Sequence, residues 1–147
     1  MSAANKEISY VISVSVCAGC YRHIKISSKA TLYQLHKAIL DAFEFDDDHA
    51  HAFFMDDSVW SDKESFYANI IEDEERHTAE YKLEQLGLCV GKKFKYLFDF
   101  GDEWRFQCKV LKVLDEKTKM PEIIRSKGEA PSQYGYEFDD EELDEDE

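Results

Sequence analysis

Two histidines in the segment DDDHAHAFF, His49 and His51, have the spacing that most suggests chemistry. Residues two apart on a strand project from one face, and a pair of neutral imidazoles so placed can ligate zinc, iron or nickel. A third ligand is left open among Asp46, Asp47, His36 and Asp99. The same residues also allow a purely structural reading, in which His49 caps the turn after Asp46 to Asp48 and His51 packs beside Phe53 with its ring hydrogen-bonded. The structural pair is the preferred reading, so no cofactor is expected, and a divalent transition metal on His49 and His51 is the alternative.

A second candidate is VCAGCY, where Cys17 and Cys20 have the spacing of a redox pair or a zinc knuckle. No second CxxC accompanies it, and it falls between two strand patterns rather than at a helix start. It therefore reads as a structural turn. None of the four cysteines sits in a Gly-rich elbow or beside an oxyanion-hole motif. Nothing places adjacent carboxylates such as Asp56 and Asp57 in a dry cleft that would separate their pKa values. His36 reads as a core-edge histidine and His77 as a solvated one. No catalytic residue is assigned, and the reading leans away from an enzyme.

The third candidate is a set of cations. In FKYLFDFGDEWRFQCKV, Phe94, Tyr96 and Phe98 share one face, as do Trp104, Phe106, Cys108 and Val110 on the following run. Two amphipathic strands thus meet in a hairpin whose turn is built by Asp99, Gly101 and Asp102, with Gly101 able to take positive φ. The kinase reading of DFG fails for want of a Gly-rich loop and an HRD-like segment. On the opposite face stand Lys93 and Lys95, with Arg105 and Lys109 on the neighbouring strand. They read first as the solvated face of an amphipathic hairpin; the sharper reading is a basic docking surface for an acidic partner or for the chain's own acidic end.

The elements that must position these groups are legible in outline. Ile8, Tyr10, Ile12, Val14 and Val16 alternate with serines, and Ile24 and Ile26 alternate with His23 and Lys25, which predicts a first hairpin with Cys17 facing Cys20. SSKATLYQLHKAILDAF predicts a helix capped by Thr31, with Leu32, Leu35, Ile39, Ala42 and Phe43 on one stripe. HAHAFFMDD and SVW read as short strands around a turn at Asp56 and Asp57. Residues 61 to 76 read as a long surface loop, and TAEYKLEQLGL as a brief extended piece followed by one helical turn stopped at Gly87.

The 147 residues fit one domain, with 44% hydrophobic and 34% charged residues. No apolar run is long enough to span a bilayer and no signal-like start is present, so a cytoplasmic location away from membranes is expected. Of the net charge of −14, nine carboxylates fall in EFDDEELDEDE, residues 137 to 147. That segment is expected to be a disordered acidic tail behind a single domain over 1 to 136. Binding to nucleic acid is disfavoured by the charge balance.

The ordered series YRHIKI, ATLYQLHKAILDAF, DDDHAHAFFMDD, LGLCVGKKFKYLFDFGDEWRF and GEAPSQYG resembles the plasmid pRiA4b ORF-3-like family across most of residues 8 to 135. The resemblance implies a small α+β domain associated with plasmids and mobile elements, whose biochemical role is not established. Relatives carry IWRR where this chain has CYRH, keeping Tyr21 and Arg22, and GEAPSQYG keeps Gly128, Glu129 and Pro131 of the family's ending. From the order of elements, the expected fold is α+β, a β-grasp-like mixed sheet with one main helix on one face and a long aromatic C-terminal hairpin. The expected function is a noncatalytic interaction module with a protein partner, and the alternative is a metal-binding protein or metal-dependent enzyme centred on His49 and His51.

Overall fold

The structure is a computed structural model and describes residues 7–72, 74 and 76–133. The acidic tail expected over 137–147 lies outside the described residues. Strand β1 (Ser9–Cys17) turns at Ala18 and Gly19 into β2 (Cys20–Ser27), and their register sets Ile12 opposite Ile24 and Cys17 opposite Cys20. Helix α1 (Leu32–Phe43) follows. Thr31 Oγ1 accepts from the Gln34 N–H, and Gln34 Oε1 accepts from the Thr31 N–H, so two otherwise orphaned donors are satisfied at its start. Glu44 closes the helix in the left-handed conformation, its N–H bonding back to Asp41 and Leu40 carbonyls.

Strands β3 (His51–Phe54), β4 (Ser65–Tyr67), β5 (Lys93–Phe98), β6 (Trp104–Leu114) and β7 (Glu122–Lys127) complete the sheet. Its order is β4-β3-β5-β6-β1-β2-β7. One face is covered by α1. Leu32, Leu35, Ile39 and Phe43 from the helix meet Ile12, Val14, Ile24, Tyr96, Phe98 and Phe106 in the main core, and each fully buried side chain of this size contributes about 1.5–3 kcal/mol. The other face carries a smaller core at one end. There Ala52, Phe54, Tyr67 and Leu97 form a small second core beneath Val59, Ile71 and Phe100.

This sheet overturns the expected β-grasp-like α+β fold. All six pairings between the named strands are antiparallel, so the sheet is not mixed, and the protein is mainly a seven-stranded antiparallel sheet with a single helix. The cause is instructive. A period of two identifies a strand and its buried face but carries no information on which neighbour it takes or in which direction. Here β6 turns back from β5 and runs antiparallel along β1 from Ser9 to Ser15, with a bulge between Val11 and Ile12.

Three local expectations also change. Residues 61 to 76 are not simply a surface loop, because Ser65–Tyr67 is a buried strand paired with β3. Ser58–Trp60 is not a strand; it belongs to the turn region after β3, with Asp57 and Trp60 at positive φ. The extended piece at 78 to 82 contains a 3-10 turn, Thr78–Glu80, ahead of the helical turn Leu83–Gln85. Trp104 pairs with Phe98 across the β5–β6 hairpin and is half-buried, its ring 5.0 Å from Phe45.

Candidate functional site

The two candidate regions lie on opposite faces of the sheet. On the helix side, His51 opens β3 and is buried, and its ring lies flat against that of His36 on α1, with centroids 3.6 Å apart and planes 10° from parallel. His36 Nδ1 faces the Tyr96 hydroxyl at 2.6 Å, and its Nε2 faces Asp47 Oδ2 at 3.1 Å. A carboxylate can only accept, so Nε2 carries the proton and Nδ1 accepts from the Tyr96 O–H. Burial raises the Tyr96 pKa well above its ordinary value and keeps the phenol protonated for that role. His51 Nε2 pairs with Thr78 Oγ1 at 2.8 Å. Tyr33, Asp47, His49 and Asn69 join the two rings around a cavity of about 470 Å³.

Electrostatics keep both stacked rings neutral. Burial lowers the pKa of His36, and Asp47 opposes the shift without cancelling it. Burial, with His36 alongside, drives His51 down to about 2. His51 is therefore neutral near pH 7. The stack packs α1 against β3.

His49 does not share a strand face with His51. It lies in the bend before β3, its Nδ1 2.7 Å from Asp48 and its Nε2 3.6 Å from Asp99, and the Asp48 hydrogen bond raises its pKa. Asp46 does not line the cavity with the histidines, and its backbone N–H and carbonyl are both held by the Gln133 side chain at 2.7 and 3.0 Å. Parallel stacked rings direct their lone pairs side by side rather than toward one point. Among the described residues, no group of three or more His, Cys, Asp or Glu side chains is arranged to hold a metal ion.

The turn residues have separate parts. Asp99 Oδ1 accepts from the N–H groups of Gly101 and Asp102 at 3.1 and 3.2 Å. The left-handed positions are Asp99 and Glu103, not Gly101, so an Asx-type side-chain bond shapes this turn more than glycine does.

The opposite face is open where the second core ends, and strand register organises it into two rows. Lys93 lies opposite Lys109, Lys109 opposite Ser13, Ser13 opposite His23 and His23 opposite Arg125. Alongside runs Lys95, Gln107, Ser15, Tyr21 and Lys127, paired through the same strands. Strand spacing makes each row roughly 19 Å long, and two residues of rise put the rows roughly 7 Å apart. Tyr21 and His23 stack at 5.0 Å near the middle. Lys112, past the β6 bulge, faces the same side opposite Val11. His23 reports the local field: burial lowers its pKa first, and Arg125 and Lys112 lower it further.

Of the four cations expected here, two are engaged within the chain. Lys95 Nζ is 3.4 Å from Asp57, and Arg105 is 2.5 Å from Glu103. Lys93, Lys109, Lys112, Arg125 and Lys127 form no ion pair among the described residues. Lys112, Arg125, Lys127, Tyr21 and His23 were missed as members of this face. The signal was present, since IIRSK sets Arg125 and Lys127 two apart just as YRHIK sets Tyr21 and His23 two apart, but the pairing of β7 with β2 is not written locally.

No helix among the described residues is long and apolar enough to cross a membrane. The family model described as plasmid pRiA4b ORF-3-like protein matches residues 14–141, most of the chain. No curated protein matches. Among solved structures the chain is similar to a protein of unknown function, MM3350, from Methanosarcina mazei Go1, at 24% identity and a TM-score of 0.72, over 97% of this chain and 84% of that one. That likeness speaks to the fold.

Proposed function

We propose a noncatalytic role for this chain, which belongs to the plasmid pRiA4b ORF-3-like protein family: it is a binding module that receives an acidic protein partner on the open face of its sheet, in the service of a plasmid or mobile element. The observation that carries the reading is the pair of cross-strand rows, and above all Lys93 directly opposite Lys109. Like charges set directly opposite destabilise a sheet, and an anion between them converts that cost into affinity. The neutral serines between the flanking cations leave room for a peptide backbone, and Tyr21 and His23 offer a flat ring surface.

An acidic protein suits this face better than nucleic acid. The patch is small while the chain as a whole carries −14, so a long polyanion is repelled wherever it leaves the patch. A short acidic segment can lie along the Lys93, Lys109 and Arg125 row, clear of Asp57 and Glu103, which hold Lys95 and Arg105. The four free cysteines suit a reducing cytoplasm, where we place the protein. The metal-centred alternative draws less support from the geometry, since His51 is engaged with His36 and Thr78 while His49 faces Asp48 and Asp99.

Titration of a Glu-rich peptide into isotopically labelled full-length protein, followed by amide chemical shifts, tests this. Shifts should concentrate at Lys93, Lys109, Ser13, His23 and Arg125 and shrink with added salt. Shifts around Tyr33, His49 and Asn69 instead, or tighter binding of single-stranded DNA than of the peptide, would count against it.

A further inference from the structure

We infer that Cys17 and Cys20 form a thiol–disulfide exchange site at the tip of the first hairpin, oxidised reversibly by a small-molecule disulfide of the glutathione class. The two residues are register partners at the end of an antiparallel pair, past an irregularity between Ser15 and Cys17, and are closed by a two-residue turn with Gly19 at φ +79°. Directly opposite residues in such a pair have Cα atoms about 4.5–5.5 Å apart, inside the roughly 4.4–6.8 Å that a disulfide spans. The backbone already holds the spacing.

Exposure divides the chemistry between the two sulfurs. Cys17 is exposed and Cys20 is buried. Burial raises the Cys20 thiol; Arg22 opposes the rise, and the neighbouring Cys17 adds to it. The Cys17 thiolate attacks one sulfur of the external disulfide, forming a mixed disulfide and releasing one thiolate. Cys20, deprotonated, then attacks Cys17 Sγ, forming the intrachain bond and releasing the second small thiolate. Two protein thiols become one disulfide, and one small disulfide becomes two thiols. Cys108 is fully buried in the core with its thiol raised by burial, so it does not compete for this pairing, whereas Cys89 is exposed and open to the same reagent.

The oxidised state differs at a defined place. Cys20 Sγ–H donates to the Glu129 carbonyl at 3.3 Å, and a disulfide sulfur has no hydrogen to donate. The adjoining Gly128 sits so close to this turn that an added Cβ would fall 2.4 Å from the Gly19 oxygen. Residues 128–133 run from there to Gln133, which holds Asp46 and Asp48. Oxidation therefore loosens this strap at its first contact.

The test uses the full chain carrying Cys89→Ser, equilibrated with oxidised and reduced glutathione and read by thiol alkylation and peptide mass. Two thiols should be lost together, both within the 17–20 peptide, and return on reduction. The Cys20→Ser variant should stop at a glutathione adduct on Cys17, and the Cys17→Ser variant should not react at Cys20. In the oxidised chain, amide exchange should quicken over 128–133. A stable glutathione adduct on Cys17 with Cys20 present, no thiol loss in excess oxidised glutathione, or loss at Cys108 would overturn the inference.

Discussion

Acidification should unfold this protein through its stacked histidines, and His51 sets the size of the effect. Its pKa is about 2 in the folded state against an ordinary value of 6.5. Because the folded value is depressed, the unfolded chain binds the extra proton. The stability His51 confers is fully present above about pH 6.5 and is lost progressively as pH falls toward the folded value. Each pH unit within that window costs about 1.4 kcal/mol, and between pH 7 and pH 5 the loss from His51 alone is roughly 2 kcal/mol. His36 shifts in the same direction and adds to the loss. The raised pKa of His49 acts in the opposite sense, but its side chain is 43% exposed, so solvent screening leaves it a small correction. Urea unfolding at pH 7, 6 and 5 measures the slope in the wild type and in His51→Gln, whose amide retains a group able to reach Thr78. The variant should lose roughly 2 kcal/mol less than the wild type over that range, whatever its stability at pH 7. Equal slopes in the two proteins would refute the neutral buried assignment of His51.

Three further outcomes follow from particular contacts. Gly128→Ala places a Cβ 2.4 Å from the Gly19 oxygen at φ +80° and should cost roughly 1–3 kcal/mol in urea unfolding, more than Gly87→Ala, where an added Cβ meets nothing within 4 Å. Gln133→Ala removes the bonds to both backbone groups of Asp46 and to Asp48; a loss of about 1–3 kcal/mol and faster amide exchange at Asp46 are expected. Elemental analysis of protein purified without tag or chelator should return no stoichiometric zinc, iron or nickel, whereas about one ion per chain that disappears in the His49→Ala, His51→Ala double variant would restore the metal reading.

What could be read from the sequence was what period and local chemistry encode. Thr31 announces the start of α1, and the alternation of Phe94 to Val110 announces the β5–β6 hairpin with its aromatic face turned to the core. Direction and neighbour were not encoded in those periods, which is why a mixed sheet was expected and an antiparallel one formed. Ser65–Tyr67 escaped notice because three residues are too few to show a period, although each is buried. The basic face was half visible: Lys93 and Lys109 came from one hairpin, whereas His23 and Arg125 joined them only through the β2–β7 register. The stack of His36 on His51 brings together residues on α1 and β3 whose closeness depends on how the helix seats against the sheet, so no local pattern marks it.

The proposed binding surface is the open sheet face, whose Lys93, Lys109, Lys112, Arg125 and Lys127 form no ion pair among the described residues. Its most direct test is the affinity of a Glu-rich peptide for the full chain, measured by calorimetry at two salt concentrations in the wild type and in Lys109→Gln, Arg125→Gln, whose side chains are exposed and contribute little to packing. Binding that weakens about tenfold or more in the double variant, with a shallower dependence on salt, is the predicted result, a change of about 1.4 kcal/mol. Unchanged affinity and unchanged salt dependence would contradict it.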